Sequence, residues 1–173
     1  MIEQAIDLLN GPRKPKLETG VDAKFFRIND KWGFKFYGSP QMAELTYEFQ
    51  GWANEAGLAP KLGEYQEFDL YQSKHSNRTE KWWGYITECV DGVLDNAWKD
   101  MSHKYPGTWR AWDIQEYKDL TKNLRTMFRA KGVKLKHAHD LDMHIGNVGF
   151  IGENLVCFDF SGPAALELSC KPI

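Results

Sequence analysis

His137-Ala-His139-Asp140-Leu-Asp142-Met-His144-Ile-Gly-Asn147, followed twelve residues later by Asp159-Phe-Ser161-Gly162, is the stretch on which this chain turns. Positions 137 to 144 hold three histidines and two aspartates. One use for such a cluster is a metal hydrolase, whose zinc needs convergent histidines in patterns such as H-x-H-x-D-H. His137 and His139 match the first two positions of that pattern, but Asp142 and His144 arrive one and two residues late. His75 and His103 sit in polar loops, and no cysteine is placed to complete a ligand set. The zinc signal is weak.

Phosphoryl transfer makes different demands. It needs a carboxylate to orient or deprotonate the attacking hydroxyl, two oxygen ligands for Mg²⁺, and a lysine on the phosphates. Asp142 stands five residues before Asn147. Behind Asn147, NVGFIGENLVCFDF reads as two short strands around a Gly152-Glu153-Asn154 turn, and that hairpin returns Asp159 beside the asparagine. Upstream, KWGFKFY alternates, with Trp32, Phe34 and Phe36 on one face and Gly33, Lys35 and Tyr37 on the other. Taken alone, Lys35 reads as an edge-strand lysine whose head reaches solvent. Taken with the later motifs, it is a candidate for the phosphates.

Ser39-Pro40 starts a helix, with serine as N-cap and proline at the first helical position. The helix is expected to run to about Ala56 and to stop at Gly57, with Met42, Leu45, Phe49, Trp52, Ala53 and Ala56 as its apolar stripe. That wheel puts Glu48 nearer the stripe's edge than Glu44, within reach of a buried cation.

Further out, residues 1–10 read as a short helix, and Arg13 to Lys16 as a solvated lead-in. LETGVDAKFFRI and KWGFKFY form strands about an Asn29-Asp30 turn. EFDLYQ and KWWGYITECV are two more, joined by the polar loop SKHSNRTE, with Trp82 and Trp83 expected in the core. Glu88 to Gly92 is a connector, residues 93–112 are irregular or helical and aromatic-rich, and a helix from about Ile114 to Ala130 ends at Gly132. The class is α+β.

In these residues the chain resembles the protein-kinase-like superfamily, from about Leu17 to Gly162. Asp140-Leu-Asp142-Met-His144-Ile-Gly-Asn147 is similar to the D-[LM]-H-x-x-N loop of small bacteriophage and bacterial effector kinases. The resemblance implies a truncated bilobal fold: an antiparallel N-lobe with one helix at about 14–88, a hinge at about 88–92, and a reduced, mainly helical C-lobe at about 93–173. It implies Asp142 as the catalytic aspartate, Asn147 and Asp159 as Mg²⁺ ligands, Lys35 as the strand lysine and Glu48 as its helix partner. Gly20 and Val21 fall in the phosphate-covering turn, Glu88 and Val90 in the hinge that meets adenine through its backbone. His144 takes the place of a lysine that meets the transferring phosphate. ATP and Mg²⁺ are the implied cofactors.

The sequence departs from that family's pattern in several places. G-x-G-x-x-G is reduced to Gly20, H-R-D reads Asp140-Leu-Asp142, and D-F-G reads Asp159-Phe-Ser-Gly162. Eleven residues follow Gly162, so the expectation is a second lobe without an activation segment. The expected activity is a minimal Ser/Thr protein kinase acting on host or partner proteins. The alternatives are a pseudokinase-type binding or inhibitor protein on the same fold, and then a small-molecule kinase. A partner protein or a homodimer is expected to cover the surface near Trp98, Trp109, Trp112 and the Pro163–Leu168 run.

Composition supports a globular domain. Of the 173 residues, 42% are hydrophobic and 27% charged, enough apolar side chains for a core. A net charge of −2 argues against a general nucleic-acid binder. The basic set Arg125, Arg129, Lys131, Lys134 and Lys136 reads as complementing a helix C-terminus, or else as a site for an acidic partner or nucleic acid. Without an apolar export core at the N-terminus or a long apolar run, a cytoplasmic chain free of membrane is expected. Cys89 and Cys157 lie in apolar runs and are expected to be buried thiols.

Overall fold

The computed structural model describes residues 1–20, 23–73, 76–94, 114–137, 140–162 and 165. Val21, His75, His103, His139, Cys170, the three tryptophans at 98, 109 and 112, and most of the Pro163–Leu168 run lie outside the described residues, as does nearly all of the 93–112 segment. The helices are α1 (Ile2–Asn10), α2 (Pro40–Glu55) and α3 (Gln115–Ala130). The strands are β1 (Glu18–Thr19), β2 (Ala23–Arg27), β3 (Trp32–Tyr37), β4 (Leu62–Ser73), β5 (Ser76–Glu88), β6 (Gly92–Val93), β7 (Val148–Ile151) and β8 (Asn154–Cys157). Every strand pair among them is antiparallel, so the class is α+β. The chain divides into two compact units, Met1–Tyr47 with Lys61–Cys89, and Glu48–Pro60 with Val90–Ile173.

The first unit is built on a five-stranded sheet in the order β1-β2-β3-β5-β4. Asn29 closes the β2–β3 connection, its Oδ1 accepting from the N–H groups of Lys31 and Trp32. β3 is therefore a central strand, and this corrects the expectation of an edge lysine. Lys35 lies opposite Phe25 on β2 and Tyr85 on β5 and is only 6% exposed. A strand paired on both sides and covered on both faces leaves its side chains no route to water.

Alternation decides the two cores. Phe34 and Phe36 stack at 5.5 Å and meet Phe26 and Phe68, while Ile2, Ala5 and Leu9 of α1 cover this face. Trp82 meets Phe36 edge-on at 5.5 Å but stays half-buried, with Lys24 Nζ 4.4 Å above its ring. Trp83 is half-buried as well, and its indole N–H donates to Glu67. On the opposite face Tyr47 packs against Tyr65 at 5.3 Å and Tyr85 at 5.2 Å. These tyrosines make the surroundings of Lys35 aromatic, with its Nζ 5.8 Å from the Tyr37 ring.

Strands β4 and β5 are longer than their apolar runs suggested, because pairing continues through the polar SKHSNRTE segment as far as Ser73 and Ser76. Backbone hydrogen bonds form regardless of side-chain polarity when a two-stranded ribbon is solvated. Lys81 supports that ribbon with ion pairs to Glu67 at 2.8 Å and Asp69 at 3.3 Å. The outer edge of β4 is blocked by Asn10, whose amide donates to the Asp69 carbonyl and accepts from the Tyr71 N–H.

Ser39 caps α2 through its hydroxyl, which accepts from the Met42 N–H. The buried positions of α2 are Met42, Ala43, Thr46, Phe49, Gln50 and Ala53, a stripe rotated from the expected one, because polar Thr46 and Gln50 turn inward. Both bond backbone carbonyls, Thr46 to Met42 and Gln50 to Pro60, which makes their burial tolerable. Glu48 and Glu44 are consequently both exposed. The wheel had placed Glu48 at the edge of burial; it lies outside it.

In the second unit Phe128 of α3 contacts Phe49 at 4.8 Å, Trp52 at 6.1 Å and Phe160 at 5.9 Å. Leu120 and Leu124 line the same buried face. Gly57 and Gly132 end their helices at φ of 73° and 84°, each with paired reverse hydrogen bonds: Leu58 to Ala53 and Gly57 to Asn54, Val133 to Phe128 and Gly132 to Arg129. A second sheet, β6-β7-β8, carries the expected hairpin turning at Gly152. Cys89 and Cys157 are buried free thiols, and burial pushes the Cys89 thiol up, away from reactivity.

Two substitutions test this packing. A Cβ on Gly84 would lie 2.6 Å from Phe34 Cζ, 2.8 Å from Phe36 Cβ and 2.9 Å from the Lys35 carbonyl. Gly84→Ala is expected to destabilise the protein by about 1–3 kcal/mol in urea titration, since backbone cannot yield as a side chain does. Burial first, then Glu44 and Glu67, push the Tyr65 phenol up to about 12, and its hydroxyl is buried without a hydrogen-bond partner. The neutral phenol is thus favoured in the folded state, so the stability it contributes is present below about pH 10 and lost as pH rises towards 12. Tyr65→Phe is expected to flatten that alkaline loss in denaturant titrations across pH 9–12 without lowering stability at pH 7.

Candidate active site

The loop Asp140–Asn147 is closed by one side chain. Asn147 is 9% exposed, and its Nδ2 donates to the Asp142 carbonyl at 3.0 Å and to Asp142 Oδ2 at 3.2 Å. The same carbonyl accepts from the His144 N–H, and the His144 carbonyl accepts from the Asn147 N–H. These bonds wind Ile145–Asn147 into a 3₁₀ turn capped by His144, whose Nδ1 accepts from the Gly146 N–H. Two acceptors on Nδ2 fix the amide's orientation and leave Oδ1 as the side chain's acceptor.

Asp142 has φ of 49°, alone at positive φ among the described non-glycine residues. Aspartate tolerates this left-handed region better than most residues, though it is not a conformation adopted without constraint. Its carboxylate is half exposed, and Oδ2 lies 3.7 Å from His144 Nε2. Because His144 Nδ1 accepts a hydrogen bond, Nε2 is the nitrogen that carries the proton toward the carboxylate.

Two residues outside the loop hold it, and a third holds the chain just before it. Arg125 donates to the His137 carbonyl at 2.8 Å, and the Tyr117 hydroxyl donates to the Met143 carbonyl at 2.8 Å. Gly162 packs so closely that a Cβ would fall 2.8 Å from Asp142 N and 2.9 Å from the Asp140 carbonyl. Within the loop, Asp140 is 8% exposed and accepts the His137 N–H at 2.7 Å. Tyr117 carried no site signal in the sequence, because it reaches the loop only through the fold, and Arg125 was singled out there only as one of a basic set.

Asp159 lies two residues past the end of β8, and the Phe158 N–H donates to the Asn147 carbonyl at 3.0 Å. The β7–β8 register, Val148 against Cys157, brings the asparagine and the aspartate to the same end of the hairpin. Asp159 Oδ1 accepts from the Ser161 N–H at 3.1 Å and from its hydroxyl at 2.6 Å. Serine inside Asp-Phe-Ser-Gly therefore orients the carboxylate.

The donor chemistry suits Mg²⁺. An amide oxygen and a carboxylate are hard ligands, and Mg²⁺ completes its shell with water and phosphate rather than with a full protein cage. Among the described residues no group of three or more His, Cys, Asp or Glu is placed to hold a metal ion of any kind, so a site here would rest on fewer protein ligands.

The remaining candidates are placed as follows. Lys35 belongs to the first unit and Glu48 to the second. Gly20 closes the β1–β2 turn, its N–H donating to the Ala23 carbonyl, and a Cβ there would meet only ordinary contact at 3.5 Å. Glu88 ends β5, and its N–H already donates to the Lys61 carbonyl, while that of Cys89 donates to Lys31. Glu88 therefore cannot offer its N–H to an adenine without breaking a backbone bond. Val90 opens the second unit.

Compared with models of known families and with curated proteins, the chain matches none.

Gly162→Ala is expected to displace the Asp140–Asp142 backbone, costing about 1–3 kcal/mol and moving the amide resonances of that segment in a ¹⁵N–¹H spectrum. Resonances of the first unit should stay in place.

Proposed function

We propose that this chain is a minimal kinase-like phosphotransferase that uses ATP and Mg²⁺ to phosphorylate serine or threonine in a protein. The observation that carries this reading is the Asp142–Asn147 bridge, with Gly162 packed on its backbone and Asp159 at the adjoining hairpin end. A carboxylate for the attacking hydroxyl, an asparagine oxygen and an oriented second aspartate are what in-line transfer to a hydroxyl asks of a protein.

In this reading Asp142 accepts a hydrogen bond from the attacking hydroxyl and takes its proton. The hydroxyl oxygen forms the new P–O bond as the bond to the leaving ADP oxygen breaks. Asn147 Oδ1 and the Asp159 carboxylate would hold Mg²⁺, which would supply neutralisation of phosphate charge. His144 Nε2, 3.7 Å from Asp142 Oδ2, stands beside the carboxylate without hydrogen-bonding it. Lys35, buried on β3 of the first unit, keeps the phosphate-binding role that the resemblance gives it.

A second reading is a pseudokinase-type binding protein on the same fold. It is favoured by the exposed position of Glu48 and by the engaged Glu88 N–H, both of which weaken the nucleotide side of the site.

The test is ³²P transfer from γ-labelled ATP with Mg²⁺ to a cell lysate and to the protein itself, with nucleotide binding measured alongside. Asp142→Asn keeps the side-chain shape and tolerates positive φ, so the fold should persist. Incorporation is expected to fall by about 10²- to 10⁴-fold, the usual worth of a general base. Undiminished labelling by the variant would remove Asp142 from the chemistry. Nucleotide binding with no transfer by either protein would favour the second reading.

A further inference from the structure

One face of α3 carries a charge pattern that the helix dipole does not explain. Lys118, Lys122, Arg125 and Arg129 follow spacings of four, three and four, which at 100° per residue puts them within an arc of about 60°. Cations complement a helix macrodipole only in the last turn, and near the N-terminus they oppose it. Lys118 and Lys122 lie in the first half of a helix that begins at Gln115. Of the basic residues further along, Lys131 instead sits 5.4 Å over the Trp52 ring.

The stripe borders a cavity of about 450 Å³ that these four cations line together with Tyr117 and Thr121. Thr121 Oγ1 is buried there without a hydrogen-bond partner. Lys118, Lys122 and Arg129 are exposed, and none of them is in an ion pair among the described residues. In a chain of net charge −2, holding four cations on one arc is a concentrated positive field. Tyr117 also donates to the Met143 carbonyl of the loop of Asp142, and Arg125 to the His137 carbonyl just before that loop, so whatever sits on this face adjoins the supports of the candidate catalytic loop.

We propose that this face of α3 docks an acidic segment of the protein substrate, a run of Asp and Glu or a phosphorylated side chain. As a statement about substrate, this rests on the phosphotransferase reading. The partner is a peptide rather than a nucleic acid because the positive field is local to a single helical stripe. A continuous backbone of phosphates calls for a larger basic surface than a chain of this overall charge offers. Lys118 and Lys122, one turn apart and exposed, are placed to hold one carboxylate or phosphate group between them, with Arg129 further along the same stripe for a second.

The experiment is fluorescence anisotropy of a labelled Asp/Glu-rich peptide without nucleotide, set against a neutral peptide of the same length and a single-stranded oligonucleotide. Wild type, Lys118→Glu/Lys122→Glu and Lys118→Gln/Lys122→Gln are compared, with thermal unfolding as the control for folding. Saturable binding of the acidic peptide is expected, weakened at least tenfold by charge reversal, less by neutralisation, and progressively by salt. Any one of three results would overturn the proposal: no saturable binding in the millimolar range, equal binding of the neutral peptide, or tighter binding of the oligonucleotide. The same peptide with an added serine then reports ³²P transfer. Charge-dependent binding without transfer keeps the docking face and removes the phosphotransferase reading; transfer with no preference for acidic sequence does the reverse.

Discussion

A single asparagine amide organises the candidate site. By donating both to the carbonyl and to the carboxylate of Asp142, Asn147 Nδ2 ties a left-handed backbone to its own side chain. The geometry has little freedom, since the carbonyl also takes the His144 N–H and the asparagine backbone is fixed by the 3₁₀ turn and by Phe158. Local strain of this kind persists where surrounding contacts over-determine it. Here those contacts are Gly162 against the loop backbone and Tyr117 of α3 on the Met143 carbonyl.

A different constraint rules the first unit. Because β3 pairs with β2 and β5, its alternation is read out on two covered faces instead of one. One face gathers phenylalanines under α1, and the other gathers tyrosines around Lys35. Sheet pairing, not side-chain preference, buries the lysine. The same logic explains the extended β4–β5 ribbon, where backbone bonding carries polar residues into strands.

Much of this was legible in the sequence for local reasons. Asn29-Asp30 and Gly152 mark turns, Ser39-Pro40 and Gly57 bracket α2, and Gly132 ends α3, because each residue type relieves a specific backbone demand. The approach of Asp142 to Asn147 was legible as well, since five residues of loop leave few arrangements. The phase of α2 was not. Hydrophobicity alone rotated its stripe toward Leu45 and Ala56, whereas Thr46 and Gln50 are buried by bonds to carbonyls that a helical wheel does not contain. The exposure of Glu48 follows from that error.

Although it joined β1 and β2 into one strand and missed β6, the sequence by itself determined the three described helices, most of the strands, their turns and caps, and the spacing that brings Asp142, Asn147 and Asp159 to one loop and one hairpin end. These are matters of neighbouring residues, where steric limits on φ and ψ and short hydrogen-bonded rings suffice. Only the tertiary structure decided that β3 is central and Lys35 buried, that the Glu88 N–H is already engaged, and that from α3 Tyr117 holds the loop and Arg125 the chain just before it. Each of those depends on partners distant in sequence, whose pairing is selected by the burial of whole faces and not by any local preference.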